Sequence, residues 1–177
     1  YHQITELYFK LSLHEMNQIG NNGKIIGDNG HDKGWKETID VDFFATRVNR
    51  INRYFESLTK SFEIMVDGME KEQFLKYRMA LLPASGFQSA QYRMIEFAST
   101  DLINLIDFRF RATIDRNTSY THALEHLYWQ AAGKDHQTGE KSYLLSEFER
   151  KYKKEFLAFM EEYNTINLWQ KFKQLPE

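Results

Sequence analysis

The most regular stretch of the chain carries Val41, Phe44, Val48, Ile51, Phe55, Leu58, Phe62 and Met65, apolar positions spaced three and four apart. That spacing lines them along one face of an α-helix. The helix is expected to run from about Thr38, a residue type that caps helix N-termini, to a stop at Asp67-Gly68. A stripe held over more than three heptads buries against other helices at shallow angles, so the expected fold class is all-α, a helical bundle with long helices. Glu6 to Ile19 repeats the rhythm with Leu7, Leu11, Leu13 and Met16. Further helices are expected from about Lys71 to Leu81, from Phe87 to roughly Leu105, and from Ser119 to Ala132. A last long helix begins at Ser146, with Glu149 completing a capping box, and ends near Leu175. No strand pattern competes, and the stretch from Asp107 to Asn117 follows neither period.

Helix breakers are sparse. Gly20, Gly23, Gly27, Gly30 and Gly34 make up more than half of the nine glycines, and the two prolines are Pro83 and Pro176. The sequence thus predicts a mobile glycine-rich loop at about residues 20–34 within a single helical domain spanning residues 1–177. A net charge of −2 lacks the basic excess that drives phosphate binding, so nucleic acid is not the expected partner. No apolar run approaches the ~20 residues needed to cross a bilayer, which argues against a membrane span. The absence of cysteine removes disulfides, thiolate metal sites and cysteine nucleophiles, and fits a cytoplasmic protein.

Three short patterns bear on chemistry. His122-Ala123-Leu124-Glu125-His126 matches the H-x-x-E-H spacing of inverted zinc peptidases, but it has no evident third ligand at a characteristic spacing, and an ordinary solvent-facing helix is the reading preferred. His14-Glu15 lacks a second histidine four residues on and is not the other zinc motif. Lys151-Tyr152-Lys153-Lys154 lies among Glu147, Glu149 and Glu155 and reads as a solvated face. The segment from Phe74 to Arg93 differs. Phe74 and Arg78 share a helical face and would set an apolar wall beside a fixed cation, suited to an aromatic ligand bearing a carboxylate. Beyond Pro83, Ser85-Gly86 offers a small hydroxyl and a backbone without Cβ that could lie against a flat cofactor. An ordinary interhelical turn with a core Phe and a surface Arg is the competing reading of the same residues.

Pro83-Ala84-Ser85-Gly86-Phe87-Gln88-Ser89, followed by Gln91-Tyr92-Arg93, resembles one signature of the tryptophan 2,3-dioxygenase family. The opening His2-Gln3-Ile4-Thr5-Glu6-Leu7-Tyr8-Phe9-Lys10-Leu11, with His14-Glu15 after it, is similar to that family's N-terminal signature. The resemblance implies a helical, haem-dependent dioxygenase, usually a homotetramer. Such enzymes cleave the indole C2–C3 bond of L-tryptophan with dioxygen to give N-formylkynurenine, the first step of the kynurenine pathway of tryptophan catabolism. It further implies that His2 accepts a hydrogen bond from the indole N–H, a role a neutral imidazole can fill. Arg78 would clamp the substrate carboxylate, and Phe74, a position that is Tyr in some members, would act as an apolar wall. Ser85 and Gly86 would face the haem and the substrate ring.

The haem b iron would be ferrous, with its proximal ligand not in this chain, since no histidine follows His136 and none of His122, His126 or His136 sits in the matching context. No metal ligand is therefore assigned. The chain is expected to be a fragment lacking both the family's N-terminal region and its proximal-histidine segment. Two alternatives stand beside this reading: a related haem protein acting on a substituted tryptophan or indole, and a cofactor-free helical interaction module.

Overall fold

The computed structural model describes residues 2–23, 25–26, 32–33, 38–73, 75–76, 89–115, 117–134 and 138–176. Helix α1 spans His2–Gly20. Its C-terminus is closed by Gly23 N donating to Gln18 O at 2.8 Å and Asn22 N donating to Ile19 O at 3.0 Å. Asn22 (φ 53°) and Gly23 (φ 76°) take up the left-handed backbone that such an ending needs. Of the glycine-rich stretch that follows, Ile25–Ile26 (β1) pairs antiparallel with Asp32–Lys33 (β2), Ile25 opposite Lys33. This ribbon departs from the strand-free loop expected there; β-branched isoleucines favour extended backbone even in a pair this short.

Helix α2, Val41–Gly68, is capped by Asp40 and not by Thr38: the Asp40 carboxylate accepts from Phe43 N at 2.9 Å, where an acidic side chain also meets the positive end of the helix dipole. Only Ile51 and Leu58 of its apolar stripe are buried. Val41 and Phe62 are exposed, whereas Ile51 packs into a buried cluster with Met16 and Ile19 of α1. Residues 71–73 and 75–76 are helical, and the remainder of the helix expected to Leu81 lies outside the described residues.

Three expected helices prove shorter, each interrupted without glycine or proline. The stretch expected from Phe87 to Leu105 resolves into α3, Ala90–Ser99, and a 3₁₀ turn at Leu102–Leu105. The one expected from Ser119 to Ala132 becomes α4, Tyr120–Glu125, and a second 3₁₀ turn at Tyr128–Gly133. Between them Ile106 and Leu127 form an isolated antiparallel bridge, which ties the start of the irregular stretch at Asp107 to the end of α4. The last helix starts earlier than expected. Ser142 caps α5, Tyr143–Tyr163, by accepting from Leu145 N at 3.2 Å, while Ser146 merely returns its hydroxyl to Ser142 O. Asn167 then restarts the chain as α6, Leu168–Phe172, by accepting from Gln170 N at 2.9 Å.

Two buried clusters hold these elements together. One joins α1, α2 and α3 through Met16, Ile19, Ile51, Ile95 and Ala98, with Tyr163 from α5. The other joins α3, α4 and α5, where Trp129 meets Phe148 edge-on at 5.9 Å and Phe97 meets Phe156 edge-on at 5.7 Å. Leu13 and Phe159 pack against both. The architecture is the all-α bundle that the apolar spacing predicted.

Candidate functional site

The N-terminal and central signatures, some 85 residues apart in sequence, meet in space. Ser89, the last residue of the Pro83–Ser89 run, accepts from Tyr92 N at 3.1 Å and so fixes where α3 begins. That start delivers Gln91, Tyr92 and Arg93 to three different neighbours. The Gln91 amide donates to Glu6 O at 3.0 Å and to Glu6 Oε2 at 2.6 Å, tying α3 to the first half of α1. The Tyr92 ring packs on Phe9, centroids 5.3 Å apart. Arg93 turns the other way and is buried; its guanidinium pairs with Glu96 at 2.9 Å, donates to Tyr128 Oη at 3.1 Å and lies 4.8 Å from the Tyr92 ring centroid. Tyr128 in turn donates a short hydrogen bond to Glu96. Burial raises the Glu96 carboxyl above its usual range against the opposing pull of Tyr128 and Arg93, and burial together with Glu96 raises the Tyr128 phenol.

A second anchor sits lower on α1. Glu15 is buried and accepts from Arg47 at 2.7 Å, from Tyr54 Oη at 3.3 Å and from Arg50 at 3.5 Å, all on α2. Glu15 follows His14 in a pair that had no role as a zinc motif; its work is to lock α1 to α2. His14 itself is exposed.

His2 is exposed on the first turn of α1, on the same helical face as Glu6 four residues on. Phe74, Arg78, Ser85 and Gly86 lie outside the described residues. Sequence reasoning missed Glu6, Gln91, Glu15 and the Arg93–Glu96–Tyr128 triad as working groups. The Gln91-Tyr92-Arg93 run was visible as a motif, but nothing local to it names partners on α1 or beyond α4.

The H-x-x-E-H stretch forms the end of α4. The His126 ring stands 4.5 Å from that of His122 and 4.4 Å from Phe110, and its Nδ1 lies 2.8 Å from His122 O. One ring nitrogen thus serves the end of the helix. Among the described residues no three His, Asp or Glu side chains are grouped as a metal would require. Two concavities among the described residues are not shaped for a haem. A cavity of about 10 Å³ beside Phe97, Met160 and Asn167 holds no more than a water, and an open groove of about 500 Å³ on α5 is walled by Glu149, Arg150, Lys153 and Lys154, charges unsuited to a flat apolar macrocycle. Among the described residues no helix is long and apolar enough to cross a membrane.

Fold and site together define a class: an all-helical protein whose opening helix is bound, through Glu6 and Phe9, to a central Gln-Tyr-Arg segment. Within that class the sequence profile of the tryptophan 2,3-dioxygenase family matches residues 1–175, and the chain belongs to that family. It is 36 % identical over 98 residues to the tryptophan 2,3-dioxygenase of a Nocardioides species, covering 55 % of this chain and 33 % of that relative. The Xenopus tropicalis tryptophan 2,3-dioxygenase is 35 % identical over 95 residues, covering 54 % of this chain and 21 % of the relative. That of Alteromonas mediterranea is 29 % identical over 121 residues, 67 % of this chain and 29 % of the relative. The chain spans a third or less of the length of these curated relatives. No solved structure matches it.

Proposed function

We propose that this protein is a tryptophan 2,3-dioxygenase, adding both atoms of dioxygen across the indole C2–C3 bond of L-tryptophan to give N-formylkynurenine. The observation that carries the reading is the family match over residues 1–175, and the contact of Gln91 with Glu6 supports it by joining the two signatures. His2 accepts the indole N–H, Arg78 pairs bidentately with the substrate carboxylate, as a planar guanidinium can and an ammonium cannot, and Phe74 walls the ring. Ser85 and Gly86 give the close backbone approach that a flat group needs.

Haem b supplies the dioxygen chemistry in this family, and Ser85 and Gly86 are the residues of this chain that would lie against it. Assembly as a homotetramer and residence in the cytoplasm complete the reading. The test is the protein expressed with haem supplied: a Soret band that shifts on adding L-tryptophan, with N-formylkynurenine formed under air, is the expected result. Arg78→Ala should weaken tryptophan binding by about 2–5 kcal/mol, the cost of stripping one partner from a desolvated charge pair. A colourless protein, or one whose spectrum ignores tryptophan, defeats the proposal; unchanged affinity in Arg78→Ala removes that residue from the site.

A further inference from the structure

We propose that Gln91 is a positioning residue for His2, and that it acts through Glu6. The inference rests on the dioxygenase reading above and adds a component that reading does not contain. A helix can turn about its own axis, so a side chain that must meet a ligand from its rim needs a brace from another element. Gln91 is such a brace. Its terminal amide has two protons, and the two acceptors it faces are the Glu6 carbonyl oxygen at 3.0 Å and the Glu6 carboxylate oxygen at 2.6 Å. One proton for each acceptor satisfies the amide nitrogen and grips Glu6 by backbone and side chain together.

The consequence for His2 is geometric. His2 and Glu6 stand four residues apart on one face of α1. Holding Glu6 by its backbone sets the height of that turn, and holding its carboxylate resists rotation of the helix about its axis. Tyr92, the next residue of α3, packs on Phe9 and fixes the following turn of α1 in the same way. Rotation is the motion that matters, because a side chain on the rim of a helix swings sideways when the helix turns. A displacement of about 1 Å in a group that must meet a reacting ring costs on the order of 100-fold in rate.

No other residue type does this as well at position 91. Leucine keeps the volume and loses both hydrogen bonds, glutamate sets a second negative charge against Glu6, and asparagine is one methylene too short to span the same gap. At position 6, Gln retains an acceptor oxygen and Ala removes it. These differences define the experiment.

The test uses the full protein and two ligands, L-tryptophan and 1-methyl-L-tryptophan, which lacks the N–H that His2 would accept. Affinities are measured by calorimetry in the wild type and in Gln91→Leu, Glu6→Ala and Glu6→Gln, with amide hydrogen exchange of residues 6–10 followed alongside. The preference for tryptophan should shrink by roughly 3- to 10-fold in Gln91→Leu, the worth of one net hydrogen bond, while affinity for the methylated ligand holds. Exchange of residues 6–10, whose amides are bonded within α1, should quicken. Glu6→Ala should do the same, and Glu6→Gln should restore the preference. Combining Gln91→Leu with His2→Phe should add nothing to the loss seen with His2→Phe alone.

Equal losses on both ligands would make Gln91 a structural residue only and overturn the proposal. So would an unaltered preference, or unaltered exchange in a folded Gln91→Leu protein. If the wild type binds neither ligand, or binds both alike, the failure belongs to the dioxygenase reading or to the role of His2, whereas a discriminating wild type with an indifferent Gln91→Leu variant condemns this inference alone.

Discussion

Arg47 on α2 places a guanidinium nitrogen 2.7 Å from Glu15 Oε2 on α1, and the Glu15 side chain retains only 5 % of its exposure. A carboxylate removed this far from water is held by its partners: Tyr54 and Arg50 reach its other oxygen at 3.3 and 3.5 Å. Replacing Glu15 with Ala strands the Arg47 charge at the helix interface and should cost about 3–5 kcal/mol, as expected when one member of a buried pair is lost. Arg50, half exposed and at the longer distance, should tolerate Ala for less than about 1 kcal/mol. Urea denaturation of the two variants provides the comparison, and similar costs for both would show that the cluster is not organised around Arg47.

The triad of buried Arg93, half-buried Glu96 and exposed Tyr128 predicts a pH dependence of stability. Burial raises the Glu96 carboxyl in the folded chain, against the lowering effect of Tyr128 and Arg93. A group whose folded pKa stands above its unfolded value stabilises fully below the unfolded pKa and loses that contribution as pH rises through the folded one. Wild-type stability should therefore carry a falling component across the acid range, just above the ordinary carboxylate pKa, that Glu96→Gln lacks. Subtracting the two pH profiles isolates it from the remaining carboxylates. A difference that is flat or rising with pH would contradict the assigned direction.

Two glycines should respond to alanine in opposite ways. A Cβ on Gly133 would stand 2.9 Å from both Cβ and Cδ2 of Leu145, a fully buried side chain at the start of α5. Neither element can retreat without disturbing the cluster around Trp129, so Gly133→Ala should cost about 1–3 kcal/mol. A Cβ on Gly68, at the end of α2, meets nothing within 4 Å among the described residues, and its backbone is not left-handed. Gly68→Ala should raise stability by roughly 0.4–1 kcal/mol, because it narrows the freedom of the unfolded chain. Thermal melts of the pair give the answer, and the ordering of the two midpoints is what matters.

The sequence disclosed what is encoded in local repetition. The stripe from Val41 to Met65 specified α2, and the apolar rhythm from Leu7 to Ile19 specified α1. It could not disclose how much of a stripe finds a partner: Ile51 and Leu58 are covered while Val41 and Phe62 are not, and that is decided by packing between elements and not within the stripe. Helix ends written in Gly-Pro punctuation were legible, as at Gly68. Ends written as one side-chain cap inside polar sequence were not, which is why Ser142 and Asn167 were passed over in favour of Ser146 and an unbroken helix. The candidate site follows the same division. Gln91-Tyr92-Arg93 stood out as a motif, yet the reach of Gln91 to Glu6 across 85 residues follows from how α1 and α3 pack, and no pattern within either segment encodes it.

Lys171 on α6 offers the last prediction. The residue is 5 % exposed, and its ammonium donates to Asn22 Oδ1 at 2.7 Å, a neutral oxygen in the turn that ends α1. Desolvation lowers its pKa below the ordinary lysine value. In the window between the lowered folded value and the ordinary one, the unfolded chain holds more protons than the folded chain, so stability rises with pH there. Lys171→Met keeps most of the aliphatic stem and removes the charge. Its stability should be close to or above that of the wild type at neutral pH, since the buried cation meets the neutral Asn22 oxygen and, among the described residues, no carboxylate, and the alkaline rise should vanish. Urea midpoints measured from neutral to alkaline pH should therefore converge, the wild type gaining on the variant as its lysine discharges. If the two proteins run in parallel across that range, Lys171 keeps an ordinary pKa and its burial against Asn22 costs the fold nothing.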